Sequence, residues 1–160
     1  MRMRGYVILL VIFCLFLCFT NAIAGSANPD KTVIGYFEAC RNGDVETMRM
    51  LMAGSFYDNK MVLLTKNKDY PEFLKKYYRD VRIVIVSSSI GDIDMVARDH
   101  PELYERYHRE NGYTVDVGND EIAVVSFSQE FPDGSTLNKE FLLKKDNIDN
   151  WKIYEQVLSQ

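Results

Sequence analysis

From Asn28 onward, apolar residues recur first at helical spacing and later at every second position. Val33, Phe37 and Cys40 fall at i, i+4 and i+7, flanked by Ile34 and Tyr36, which predicts a helix with one buried stripe. Asn28-Pro29 suits its start, because the Asn side chain caps and proline lacks only an N–H that a first turn leaves unbonded. Arg41-Asn42-Gly43 suits its end, with a cation in the last turn and a glycine ready for the left-handed cap. Asp44 then caps a second helix with Val45, Met48, Leu51 and Met52 on its buried face, ending at Gly54. Residues 56–65 are mixed, and Met61-Val-Leu-Leu64 reads as a short strand. Asp69-Tyr70-Pro71 opens a third helix whose apolar face is Phe73, Leu74, Tyr77 and Tyr78.

The period then falls to two. Val81, Ile83 and Ile85 point one way and Val84 and Val86 the other, the pattern of a strand buried on both faces, and Ser87-Ser88-Ser89 extends it. Gly91-Asp92-Ile-Asp94 reads as a turn, and residues 94–112 as a helical insertion rather than core. In that insertion Asp99 caps a helix from Pro101, with Leu103, Tyr104 and Tyr107 on one face. Glu102/Arg106 and Glu105/Arg109 form i,i+4 pairs on the other. Strands follow at Tyr113–Val117, Glu121–Phe131, Thr136–Lys145 and Trp151–Val157. Turns at Gly118-Asn-Asp120, Pro132-Asp-Gly134 and Asp146–Asn150 separate them. Helices first and an antiparallel meander afterwards make the fold α+β, one domain over residues 25–160.

The first 24 residues have a different pattern. Arg2 and Arg4 precede an unbroken apolar run from Val7 to Phe19, and Ala22-Ile23-Ala24 stands before Gly25. A positive start, a short apolar core and a small-x-small site are the three parts of a secretory signal. A spanning helix needs about 20 apolar residues, more than this run supplies. The expectation is a signal peptide at residues 1–24 and an exported protein, periplasmic or extracellular, with no stable membrane insertion after cleavage. The alternatives are an anchor formed by the uncleaved leader, or lipidation at Cys18, where Leu17 is larger than the lipoprotein pattern wants.

Charge and composition narrow the rest. The whole chain carries a formal net charge of −4, and removing residues 1–24 takes away two arginines and no acid. The remaining domain is more acidic still and has no basic stripe, which excludes the electrostatic footprint of a nucleic-acid binder. It also disfavours docking on anionic lipid. Of the three cysteines, Cys14 and Cys18 lie in the leader, so the domain keeps only Cys40 and forms no internal disulfide. Cys40 sits late in its helix, away from the N-terminus that would activate a thiol, and reads as a small buried hydrophobe. Ten Tyr and nine Phe are an excess, read either as β-formers filling a core or as rings lining a pocket. The only histidines, His100 and His108, stand i,i+8 apart, about 12 Å on a helix and too far to share one metal ion. No cofactor or metal is expected.

Two stretches carry a family resemblance. Val33-Ile-Gly-Tyr-Phe-Glu-Ala-Cys-Arg-Asn-Gly-Asp-Val-Glu-Thr-Met48 resembles the first helix, Gly-Asp corner and second helix of the nuclear transport factor 2-like superfamily. Phe141-Leu-Leu-Lys-Lys-Asp146 through Trp151-Lys-Ile153 is similar to its closing hairpin. That superfamily includes ketosteroid isomerases and polyketide cyclases. The resemblance implies a strongly curved, mainly antiparallel sheet closed by N-terminal helices into a cone with an open pocket. The Ser87–Ser89 run would lie where the sheet bends, and a homodimer would form through the outer sheet face. Tyr36 matches the helix-one tyrosine that ketosteroid isomerases use as an oxyanion donor, which works with a carboxylate base across a dry pocket. Lys60 stands where those enzymes have their catalytic Asp, and Asp58 lies two residues earlier, on the same face if the segment is extended.

The expected function is therefore that of an exported, non-catalytic small-molecule-binding or accessory domain. Its ligand, small and apolar or aromatic, would meet Tyr36, Phe37, Cys40, Asp58 and Tyr77. An isomerase or cyclase using a pocket tyrosine and a carboxylate is the alternative, and a protein–protein interaction domain the second.

Overall fold

Helix α1 spans Pro29–Asn42 in the computed structural model, which describes residues 28–111 and 121–158. Asn28 is extended and its side chain accepts the Asp30 N–H at 2.8 Å. At the other end Gly43 takes φ 68°, and the Asp44 N–H returns to the Ala39 carbonyl at 2.9 Å. Only glycine holds that left-handed corner without strain. Asp44 then caps α2 (Val45–Leu51) by accepting the Thr47 N–H at 3.0 Å. Arg41, the cation of the last turn, reaches much further. Its guanidinium donates to the carbonyls of Tyr78 at 3.2 Å and Val81 at 2.6 Å, fastening α1 to the corner that follows α4 (Tyr70–Tyr78).

Between α2 and α4 lies α3, Gly54–Lys66. The strand expected at Met61–Leu64 is part of this helix. Phe56, Lys60 and Leu64 recur at i, i+4 and i+8 on its inner side, while Val62 and Leu63 are 48% and 44% exposed. The apolar run therefore wraps around a helix and does not alternate. Ala53 caps it with no side-chain bond, so no capping residue marks its start.

Among the described residues, four antiparallel strands form one curled, unclosed sheet in the order β1 (Arg82–Gly91), β2 (Ile122–Glu130), β3 (Thr136–Lys145), β4 (Trp151–Leu158). Among the described strands β1 is at an edge, and it is not buried on both faces: Ile83 and Ile85 are half-buried, and Val86 is 66% exposed. Ile85 opposes Phe127 and Ser87 opposes Ser126, so Val86 is a bulge without a partner. The chain bends there, immediately before the small Ser87–Ser89 run. At the other edge, Met52 bridges to Ile153 and the Ala53 N–H bonds the Ile153 carbonyl at 2.9 Å.

Both faces of the sheet are covered. Helices α1–α4 pack on one, burying Val33, Phe37, Met48 and Phe56 against Phe127, Phe141, Leu143 and Ile153. On the other lie α5 (Ile93–Asp99) and α6 (Pro101–Asn111), whose Val96, Leu103 and Tyr107 pack on Ile122, Val124, Leu142 and Val157. The segment read as an insertion thus builds a second core layer, and Asp92, read as a turn, caps α5 through the Met95 N–H at 2.9 Å. Arg106 bonds Glu155 on β4 at 2.9 Å. The outer sheet face, the surface expected to carry a homodimer, is the floor beneath these two helices. The strand expected at Tyr113–Val117, the turn at Gly118–Asp120 and the leader with Cys18 lie outside the described residues. No helix among the described residues is long and apolar enough to cross a membrane.

Candidate functional site

Tyr36, Phe37 and Cys40 all lie on the sheet-facing stripe of α1 and are buried. The Tyr36 ring meets Phe37, Phe56 and Phe141 at centroid distances of 5.4, 5.7 and 5.9 Å. Phe37 meets Phe127 and Tyr78, each at 5.2 Å. Tyr36 and Cys40 stand one turn apart on the helix, and each influences the ionisation of the other. Burial pushes the Tyr36 phenol well above its usual range and the Cys40 thiol up to about 12. Tyr78 is pushed up by the same cause.

Asp58 and Tyr77 do not join this group. Two helical residues are about 200° apart around the axis, so with α3 a helix Asp58 and Lys60 face opposite ways, and Asp58 is exposed. Tyr77 is 40% exposed, ranged beside Phe73 at 5.9 Å and edge-on to Phe131 at 6.0 Å.

Lys60, which the resemblance set in the place of a catalytic Asp, and two groups that the sequence reading passed over, Lys139 and Gln129, complete the arrangement. Lys60 reaches inward, with its ammonium 5.3 Å from the Phe56 ring centre. Lys139 opposes Phe127 across the β2–β3 ladder and precedes Phe141 by two residues, so its side chain shares their face. Burial lowers the pKa of both lysines, and the Lys60 charge lowers Lys139 further. Among the described residues neither ammonium has a carboxylate partner. Gln129, two residues beyond Phe127 on that same face, is fully buried, and neither polar atom of its amide has a partner of normal hydrogen-bond geometry. The Tyr78 hydroxyl is near enough for its pKa to be lowered by that amide, against the larger upward effect of burial. Counting by twos from Phe127 and Phe141 finds Gln129 and Lys139. Lys60 needed the helix to be recognised first.

Chemically, this end of the sheet offers protonated hydroxyls, a protonated thiol, an amide and two ammonium groups. Such a set donates hydrogen bonds and attracts negative charge. Among the described residues no carboxylate is hydrogen-bonded to the Tyr36 phenol.

A different arrangement occupies the opposite face. An open groove of about 230 Å³ between α6 and β4 is lined in part by His100, Leu103, Glu140 and Val157. The Glu140 carboxylate accepts the Ser126 hydroxyl at 3.1 Å and stands 3.1 Å from His100 Nδ1. His100 lies at the break between α5 and α6, and His108 is buried edge-on to Tyr104 at 4.4 Å. No group of three His, Cys, Asp or Glu among the described residues could hold a metal ion. Comparison of the chain with protein-family models, with curated proteins and with solved structures gave no match in any of the three.

Proposed function

We propose that this protein is an exported, non-catalytic small-molecule-binding domain of nuclear transport factor 2-like build. Its ligand sits at the α3–α4 end of the sheet face that α1 covers. The observation that carries this reading is the gathering of Tyr36, Tyr78, Gln129, Lys60 and Lys139 around one aromatic cluster, with Asp58 turned to solvent. The half-buried Lys60, Leu64, Tyr70, Tyr78 and Lys139 form an approach to it. An isomerase or cyclase needs a base within about 2.6–3.2 Å of the proton it removes, or one water away, and Asp58, the carboxylate expected for that role, is turned to solvent. Export rests on the leader at residues 1–24. The family resemblance is supported by the Gly43-Asp44 corner, the closing β3–β4 hairpin and the α+β arrangement between them.

Native mass spectrometry of protein purified from its own host tests the reading. The expected result is a chain beginning near Gly25 with a retained small molecule. Tyr36→Phe should leave the fold intact and change ligand affinity by no more than about ten-fold, the net worth of one neutral hydrogen bond. Chemical conversion of the retained molecule by the purified protein, abolished in Tyr36→Phe, would establish the enzyme instead.

A further inference from the structure

We propose that the ligand is an anion: an apolar or aromatic molecule with one carboxylate or sulfonate group, seated between Lys60 and Lys139 and oriented by the Gln129 amide. This rests on the binding reading above and names its ligand class. Lys60 arrives from α3 over the Phe56 ring, 5.3 Å from its centre, and Phe56 meets Phe141 at 5.5 Å. Lys139 stands two residues before Phe141 on the same strand and opposite Phe127, whose ring lies 4.8 Å from Phe141. The two lysines therefore approach the same ring cluster from two different elements.

Lys139 feels the charge of Lys60, and like charges held together in a partly desolvated place are unfavourable unless something neutralises them. The other nearby cation, Arg41, is occupied by the carbonyls of Tyr78 and Val81. Gln129 adds an independent sign. A buried amide whose polar atoms lack a partner of normal hydrogen-bond geometry is costly, and it lies on the same face two residues along from Phe127. An anion with an apolar body satisfies all three groups at once. Its charge pairs with the lysines, its acceptor meets the Gln129 N–H₂, and its carbon frame rests on rings that carry no charge.

Two dyes with related ring systems test this on the folded domain: the anionic 8-anilinonaphthalene-1-sulfonate and the neutral N-phenyl-1-naphthylamine. The expected result is one saturable site for the anionic dye. Its affinity should fall roughly ten-fold or more in Lys60→Gln and in Lys139→Gln, as loss of a charged hydrogen bond implies. Added salt should weaken it, and Lys60→Arg should keep most of it. The neutral dye should be indifferent to all three variants, with circular dichroism confirming that each is folded. If both dyes bind and the glutamine variants leave the anionic one unchanged, or weaken both equally, the anion assignment is wrong while the binding reading stands. If neither dye binds a folded protein, the binding reading falls with it.

Discussion

Trp151 opens β4 only 1% exposed, with the Lys145 ammonium 5.2 Å from its ring centre. Replacing a large buried ring with alanine costs about 3–5 kcal/mol, a large share of the roughly 5–15 kcal/mol that holds a domain of this size together. Trp151→Ala should therefore shift the urea midpoint sharply downward, and an unchanged midpoint would refute its place in the core. Cys40 gives a different prediction. Its thiol is raised from 9.0 to about 12, by burial above all, so above pH 9 the unfolded chain releases a proton that the folded chain keeps. Stability must then fall as pH climbs from 9 toward 12. Tyr36 and Tyr78 act in the same direction, while Lys60, whose pKa is lowered, opposes them. Urea titrations at pH 8 and pH 10 should show a smaller alkaline loss in Cys40→Ala than in the parent. An equal loss would mean that the thiol ionises freely in the fold.

Where capping chemistry marks an end, the elements were legible in the chain. Asn28, Gly43 and Asp44 do in the structure what their side chains imply, and Pro132-Asp-Gly134 joins two strands as expected. α3 escaped because its start has no capping side chain and its exposed Val62 and Leu63 hide the inner stripe. β1 reads as fully buried because its valines and isoleucines alternate regularly, yet its place in the sheet is set by pairing, which one strand's pattern does not contain. The α5–α6 pair shows its apolar face in the chain, at Leu103, Tyr104 and Tyr107, but not what that face covers, because Ile122, Val124 and Leu142 lie further along. Leu103→Ala should accordingly cost about 2–5 kcal/mol and lower one cooperative transition of the entire domain. A separate early transition for residues 93–111, seen by hydrogen exchange, would show instead that this pair is a detachable appendage.

Taken together, the molecule is a sheet with helices on both sides, and this explains Ile122-Ala-Val-Val125, where consecutive residues are all buried. The candidate site was half visible. Tyr36, Phe37 and Cys40 follow from helix periodicity, whereas Lys60, Lys139 and Gln129 meet them only through a strand register and a helix rotation. The bulge at Val86 has a consequence for how copies of this protein behave in a crowd. A flat outer strand is a template on which other chains add and fibrils grow, and one unpaired residue in β1 twists that template out of true. Deleting Val86 would place Ser87 directly after Ile85, opposite Ser126 and Phe127 in unbroken register, and would remove only a largely exposed side chain. The shortened strand should leave the native core in place but give earlier thioflavin T fluorescence on agitation than the parent. In this view the extra valine keeps neighbouring molecules from joining edge to edge.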